Sequence, residues 1–460
     1  MMGVDPRRFG EYASRGFLKT KNEEAYNHVF KNHYPDEERS AARPLKTSPC
    51  YDRLKNLGAV FGSSFGWERA NWFMPKGYAL TDDDLQRDST LWNKNHSSPL
   101  DDGRIVEKNS FRRSNYFNFV SEECRHVHSH VGILDMSAFS KALVSGPRAE
   151  DWLDSVLANK VPTNQGRIAL CHMLTSNGGV RSEFTVYKKS KNCFYLVFSG
   201  ASERHDLDYL EKLLPTDGSV RIQNITTQKG VFVIAGPKSR LLLQKLTDTP
   251  LTNEEFGWLS GKTISIGYGI ADALRINFVG ELGWELHHPI EMQNYIFDEI
   301  MKAGEEFNIR PFGIRAMDSM RLEKSYRVIP KEMSIEYSAF ESGLDRFIKL
   351  DKSSDFIGKT ALKKSMEDAN KHNFVTLEVL DTKDADARGS EGIFKNGELV
   401  GRATSGGFGF RINKSLALGL VQSEYSKIGE KLEIEILGNK YLANVISESP
   451  FDPSNKLLMS

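Results

Sequence analysis

The sequence predicts an α+β fold, a body of mixed hairpins and helices followed by a small C-terminal β-barrel or sandwich. Three observations predict it. Residues 184–187 and 194–198 are β-rich runs joined by a polar turn at 188–193. Residues 202–214 put Leu207, Leu210 and Leu214 on one helical face, and Pro215 ends that run. Beyond about residue 360 the signal becomes mostly β, with Val375, Leu377 and Val379 alternating with outward positions.

Each further element follows from local pattern. Residues 21–34 (KNEEAYNHVFKNHY) carry Ala25, His28 and Val29 at helical spacing, and Pro35 stops the helix. An irregular aromatic segment follows, in which Trp67, Trp72 and Trp92 supply three of the six tryptophans. That is too much apolar surface for a disordered tail, so the segment is expected to lie against a larger body, in this chain or a partner. Residues 231–235, 274–279 and 284–287 read as strands, and 292–307 as a second amphipathic helix. Asn396-Gly397 and Gly438-Asn439 read as two-residue hairpin turns.

Composition narrows the function classes. A chain of 460 residues is long enough for two or three domains. Its 61 basic and 61 acidic side chains cancel, which argues against a general nucleic-acid binder. No long apolar run predicts a membrane span. The N-terminus shows no secretory pattern, and Cys50, Cys124, Cys171 and Cys193 form no CxxC pair, so reduced thiols and a cytoplasmic location are expected. No Gly-x-Gly-x-x-Gly opens a helix after a strand, so no dinucleotide domain is expected within this chain. The glycine cluster at 404–410 reads instead as a bend or close backbone approach.

Four motifs carry possible chemistry. His126, His128 and His130 (HVHSH) have zinc-like spacing but lack the glutamate that follows the first histidine in zincins, so no metal is assigned. In SNGGVRSEFTV a glycine turn delivers Glu183 to a strand start, with Thr185 on its face and Phe184 on the other. Such a carboxylate can be aimed into a cleft for proton work, or stand as an exposed edge residue. In NFVGELGWELH the strands break at Gly280 and Gly283, and Glu285 stands beside Trp284. A carboxylate near aromatic walls can grip a flat heterocycle through adjacent N–H donors. Arg321, in RAMDSMRLEKSY, is placed to meet an anion or to pair with a nearby acid on its own helix.

These motifs, with GILDMSAFSK, VSGPRAEDWLD, RFIKLDKSSDFIGKTAL and GRATSGGFGFRINKSLALGLV, resemble the folate-binding aminomethyltransferase family that includes the T protein of the glycine cleavage system. The segments HYPDEER, RPLKTSPCYDRLK and GWERANWF are similar to the C-terminal half of dimethylglycine and sarcosine dehydrogenases, after their flavin domain. The resemblance implies three regions: an N-terminal extension at 1–105, a T-protein-like folate-binding domain at 106–355 and a C-terminal antiparallel β-barrel at 356–460. It implies tetrahydrofolate as cofactor and no FAD in this chain. It places the folate-site acid on Glu183, where the T protein normally has aspartate, and the pterin-gripping acid on Glu285. Phe278 falls where tyrosine is common, Arg321 on an arginine near the folate, and Val197 and Ser199 on wall positions, with Ser199 replacing asparagine.

The implied chemistry is transfer of a one-carbon unit, as iminium or formaldehyde, onto a nitrogen of reduced folate to give 5,10-methylenetetrahydrofolate. The leading expectation is a one-carbon transferase in the demethylation of a small methylated amine, such as dimethylglycine or sarcosine, beside a separate FAD-dependent dehydrogenase subunit. A second is flavin-free methyl transfer from a sulfonium or betaine donor. A third is a folate-binding accessory protein; its Lys-Gly-Cys-Tyr-x-Gly-Gln-Glu motif is replaced here by Arg346-Phe-Ile-Lys-Leu-Asp351.

Overall fold

The computed structural model describes residues 10–78, 107–367 and 371–460. A five-stranded antiparallel sheet runs in the order Ile168–Leu174, Val180–Ser190, Cys193–Phe198, Ser140–Ser145, Arg221–Asn224. A six-stranded sheet runs Gly261–Ile266, Gly269–Leu274, Gly283–Pro289, Lys229–Ala235, Gly132–Asp135, Arg310–Pro311, and only its last pair is parallel. Six antiparallel strands from His372–Val379 to Asn439–Ile446 close into a barrel, so the C-terminal expectation resolves to a barrel and not a sandwich.

Alternation decides how these layers stack. Phe184, Val186, Phe194, Leu196 and Phe198 fall on one face of the five-stranded sheet. There they bury against Trp152 and Leu153 of the helix Ala149–Val156 and Leu207 and Leu210 of the helix Glu203–Lys212. Phe232, Ile234, Trp284 and Leu286 do the same on the six-stranded sheet, under Ile296, Phe297 and Ile300 of the helix Gln293–Gly304. Each such side chain stabilises the fold by about 1.5–3 kcal/mol when fully buried. The remaining two faces meet each other: Tyr187, Tyr195, Val197 and Leu274 share one apolar cluster.

The aromatic N-terminal segment lies against this same body. Its hairpin, Ala59–Ser64 with Trp67–Phe73, buries Trp72, whose ring stacks on Phe119 at 5.4 Å. Glu123 of the helix Phe117–Ser129 accepts the backbone N–H groups of Phe73 and Gly313, both at 2.7 Å. Trp92 lies outside the described residues.

Several boundaries differ from expectation for local reasons. The first helix is Arg15–Asn27, not 21–34; Ser14 caps it by accepting from Phe17 N–H, and it buries none of its residues. It has no apolar face against the body from which to extend. The strand expected at 274–279 is Gly269–Leu274, ending where it was expected to begin. The Asn277 side chain accepts from Val279 and Gly280 N–H and donates to Glu281 O, which curls the chain into a loop. The second barrel turn is Leu437-Gly438, both at positive φ, with Asn439 already paired to Ile436. At 404–410 the close approach is present: a Cβ on Gly406 would sit 2.4 Å from Ala387 O. All four cysteines are unpaired. No helix among the described residues is long and apolar enough to cross a membrane.

Candidate functional site

Glu183 owes its position to the turn before it. A Cβ on Gly179 would lie 2.5 Å from Ile335 O, so glycine lets the turn pass beneath 334–338, where Val180 N–H donates to Ser334 O. The strand Val180–Ser190 then places Glu183, Thr185 and Tyr187 on the inner face, opposite His172, Val197 and Tyr195 of its neighbours. His172 Nε2 lies 3.0 Å from Glu183 Oε1. The imidazole is fully buried and packs near the Phe347 ring, while the carboxylate side chain keeps 28% of its surface exposed. Val197 is buried beside this carboxylate row. Ser199 ends it, with its hydroxyl accepting Ala201 N–H and its carbonyl accepting from Ser140 Oγ.

Glu285 stands on the facing sheet. In Gly283–Pro289 it shares the inner face with His287, and Trp284 points the opposite way into the core against Phe256. The adjacent tryptophan is therefore not a wall of the site. His287 bridges the two sheets: its Nε2 is 3.1 Å from Glu285 Oε2 and its Nδ1 is 2.9 Å from Tyr195 Oη. Burial raises the Glu285 carboxyl to about 8. Burial, reinforced by the Lys141 ammonium, drives His287 down to about 3. Near neutral pH the pair is thus a carboxylic acid beside a neutral imidazole.

The loop after Leu274 is fixed from the barrel side. Arg411, from the barrel, donates to Val279 O at 2.9 Å, to Glu281 Oε1 at 2.7 Å, to Met320 O at 2.8 Å and to Glu323. Breaking one partner out of so buried a charge cluster costs about 3–5 kcal/mol. Phe278, in this loop, lies 5.4 Å from the Tyr326 ring. Arg321 lies in the interior: its fully buried guanidinium donates to Asp318 at 2.8 Å, the pair on its own helix that the sequence allowed, and to Tyr326 O at 3.0 Å, Glu332 at 3.3 Å and Ser405 Oγ at 2.8 Å, bracing the end of the helix Ile314–Leu322 against the barrel.

The structure thus gathers Glu183, Val197 and Glu285 on the two inner faces, holds Phe278 in the adjoining loop and removes Arg321 to the interior. His172, His287 and Tyr195 escaped the sequence reading. His287 could have been found by carrying period 2 on from Glu285; His172 depends on a strand pairing that no local pattern discloses. The HVHSH histidines close the end of a helix: His126 contacts Asn308 O at 2.7 Å and stacks on His130, and His128 contacts Glu281 at 3.0 Å.

The chain matches the family described as "GCVT N-terminal domain" over residues 50–352 and "Glycine cleavage T-protein C-terminal barrel domain" over 372–452. Residues 1–48 match "FAD dependent oxidoreductase central domain". Mouse mitochondrial dimethylglycine dehydrogenase is 37% identical over 450 residues, covering 97% of this chain and 49% of that protein. The chain therefore spans about half the length of that relative. The aminomethyltransferase of Natranaerobius thermophilus is 28% identical over 350 residues, 76% of this chain and 94% of that one. The crystal structure of glycine cleavage system aminomethyltransferase T from Bartonella henselae superposes with a TM-score of 0.72 at 20% identity, covering 89% of this chain and 99% of that one, which establishes the shared fold. On these matches the chain belongs to the glycine cleavage T-protein family of aminomethyltransferases.

Proposed function

We propose that this chain is a tetrahydrofolate-dependent one-carbon transferase acting in the demethylation of a methylated amine, such as dimethylglycine or sarcosine, beside a separate flavoprotein subunit. One observation carries the reading. On the two inner faces, Glu183 and Glu285 each have one carboxyl oxygen held by a histidine and the other without a hydrogen-bond partner among the described residues. Glu285 offers its other oxygen to the N–H donors of a flat ring, and the fit is good because the side chain is nearly enclosed, with about 10% of its surface exposed. Tetrahydrofolate, when bound, supplies the nitrogen that receives the one-carbon unit. Glu183, fixed at Oε1 by His172, takes the proton that this nitrogen sheds at its other oxygen. Holding donor and acceptor in one cleft supplies much of the acceleration.

The flavoprotein half of the proposal draws on the N-terminal helix. It lies in the stretch matching the FAD-dependent oxidoreductase domain, buries nothing, and leaves Tyr26 at 78% and Phe30 at 97% exposed nearby. The membership of dimethylglycine dehydrogenase among the relatives points the same way.

Folinic acid at saturation should raise the melting temperature, and Glu285→Ala should shrink that rise at the same ligand concentration. No shift in the unaltered protein would sink the folate assignment. Purified from its native source, the protein should bring a stoichiometric yellow subunit. A lone colourless protein that demethylates an amine would overturn that half of the proposal.

A further inference from the structure

The N-terminal hairpin holds a second set of polar groups that the folate cleft does not use. Trp67 and Arg69 alternate onto one side of the strand Trp67–Phe73 and line a narrow cleft with Ser48, Asp135 and Ser137. Arg69 Nε and Trp67 Nε1 are both shielded from solvent, and neither finds an acceptor among the described residues. No carboxylate among the described residues comes within ion-pairing distance of Arg69. Lys46 is bridged to Trp67 through the backbone, and its ammonium lies 4.5 Å above the Trp67 ring and 5.2 Å from the Tyr12 ring. Among the described residues no acid lies within ion-pairing distance of it; burial lowers its affinity for a proton, and the more distant Glu203 carboxylate offsets part of that.

The neighbouring acids are already committed. Glu68 pairs with Arg43 at 2.6 Å. Glu38 accepts from Ser63 N–H and Asn71 and lies 3.5 Å from Arg43. Asp135 accepts from Ser48, Ser137 N–H and Gln293. Among the described residues this leaves the Arg69 Nε–H and the Trp67 indole N–H without an acceptor and the Lys46 ammonium beside aromatic rings, with Glu38 and Glu203 acting on the two cations only from beyond ion-pairing distance. Arg69 is half-buried, so the cost falls on its enclosed Nε–H, which lacks an acceptor, and its planar fork suits a carboxylate or phosphate.

We infer that Arg69, Trp67 and Lys46 form an oxyanion-binding site, separate from the folate cleft, that takes a carboxylate or phosphate group. The site stands on the segment that leads to the sheet: Lys141 of Ser140–Ser145 donates to Ser137 O at 2.8 Å, and Lys141 pairs in register with Val197. The source of the anion is a carboxylated amine substrate, the glutamyl tail of a folate, or inorganic phosphate.

The test is a thermal-shift titration at constant ionic strength, with chloride as reference. Inorganic phosphate should raise the melting temperature of the unaltered protein by about 3 °C at saturation. Arg69→Met should melt higher than the unaltered protein in chloride, because an uncompensated cation is gone, and should lose the phosphate increment. Lys46→Met should weaken phosphate at least about threefold, the loss of one charge-assisted contact. N,N-dimethylglycine and folinic acid carrying one or three glutamates are then titrated in competition. Competition by the amino acid, or only by the triglutamate, names the source; competition by neither leaves phosphate itself. If Arg69→Met does not fold, Arg69→Gln serves, and it too should abolish the increment. An equal phosphate shift in the protein and its Arg69 variants, or none with any probe, overturns the site. The phosphate arm contains no folate, so its outcome is independent of the function proposed above.

Discussion

Glu183 and Glu285 are held by histidines at nearly the same distance, 3.0 and 3.1 Å, yet stand in opposite surroundings. Glu183 sits at the rim with more than a quarter of its side chain exposed, and among the described residues only His172 holds its carboxylate. Glu285 is enclosed and chained through His287 to Tyr195 on the other sheet. The same pair of residue types therefore yields two chemistries. A rim carboxylate can exchange protons with solvent and with a reacting group. An enclosed one is held uncharged until a ligand with N–H donors favours its ionised form.

The largest expected effect breaks the comparison at its rim. Glu183→Gln removes the proton acceptor while keeping the shape and the contact with His172, so turnover should fall by about 10²–10⁴-fold. Folinic acid affinity, read by calorimetry, should change little. Equal losses in turnover and affinity would make Glu183 a second gripping residue and erase the distinction. Glu285→Ala is the complementary change. It should weaken folinic acid by about 10–100-fold, the worth of a charge-assisted pair of hydrogen bonds. Any turnover that remains at saturating ligand should stay within an order of magnitude or so of the unaltered rate, about tenfold.

A third prediction uses the Glu285 carboxyl, raised to about 8 by burial. Below that value the free protein carries the proton, and a ligand that needs the carboxylate must expel it. Affinity should therefore rise with pH, up to about tenfold per unit, and level off above about 8. Calorimetry in buffers of different ionisation enthalpy should register proton release between pH 6 and 8 and none in Glu285→Gln. Affinity that is flat over this range would mean Glu285 binds as the acid, donating instead of accepting.

Much of this arrangement was legible in the chain itself. Glu183 was placed on a strand face by alternation, Glu285 in a strand after the glycine breaks, and the helix 202–214 by its leucine spacing, because each depends on residues close together in the chain. What was missed depends on long-range encounter. His172 meets Glu183 only because Ile168–Leu174 pairs beside Val180–Ser190 in one register. Arg321 was read from its own helix as meeting an anion or pairing with a nearby acid; the pair with Asp318 is present, but Glu332 and Ser405, which also hold it, arrive from distant segments. The first helix slipped because a solvated segment has no core to fix its ends. Trp284 shows the opposite error: alternation was available and would have sent it to the core, away from Glu285.

The smallest effect is the sharpest test of the contrast. Tyr195→Phe deletes one hydroxyl and leaves the ring that packs with Tyr187 and Val197. His287 Nδ1 then loses its partner from the facing sheet, at a cost of about 1 kcal/mol and a melting shift of about 2 °C. Because His287 also holds Glu285, folinic acid should weaken by a factor of about three, an effect below a full hydrogen bond since the carboxyl itself remains. Glu183 shares a sheet with Tyr195 but no hydrogen bond, so turnover at saturating ligand should be unchanged. If turnover fell with affinity, the two carboxyl–histidine pairs would behave as one connected network across the cleft. If only stability and affinity moved, gripping and proton handling would be separable functions of the two sheets.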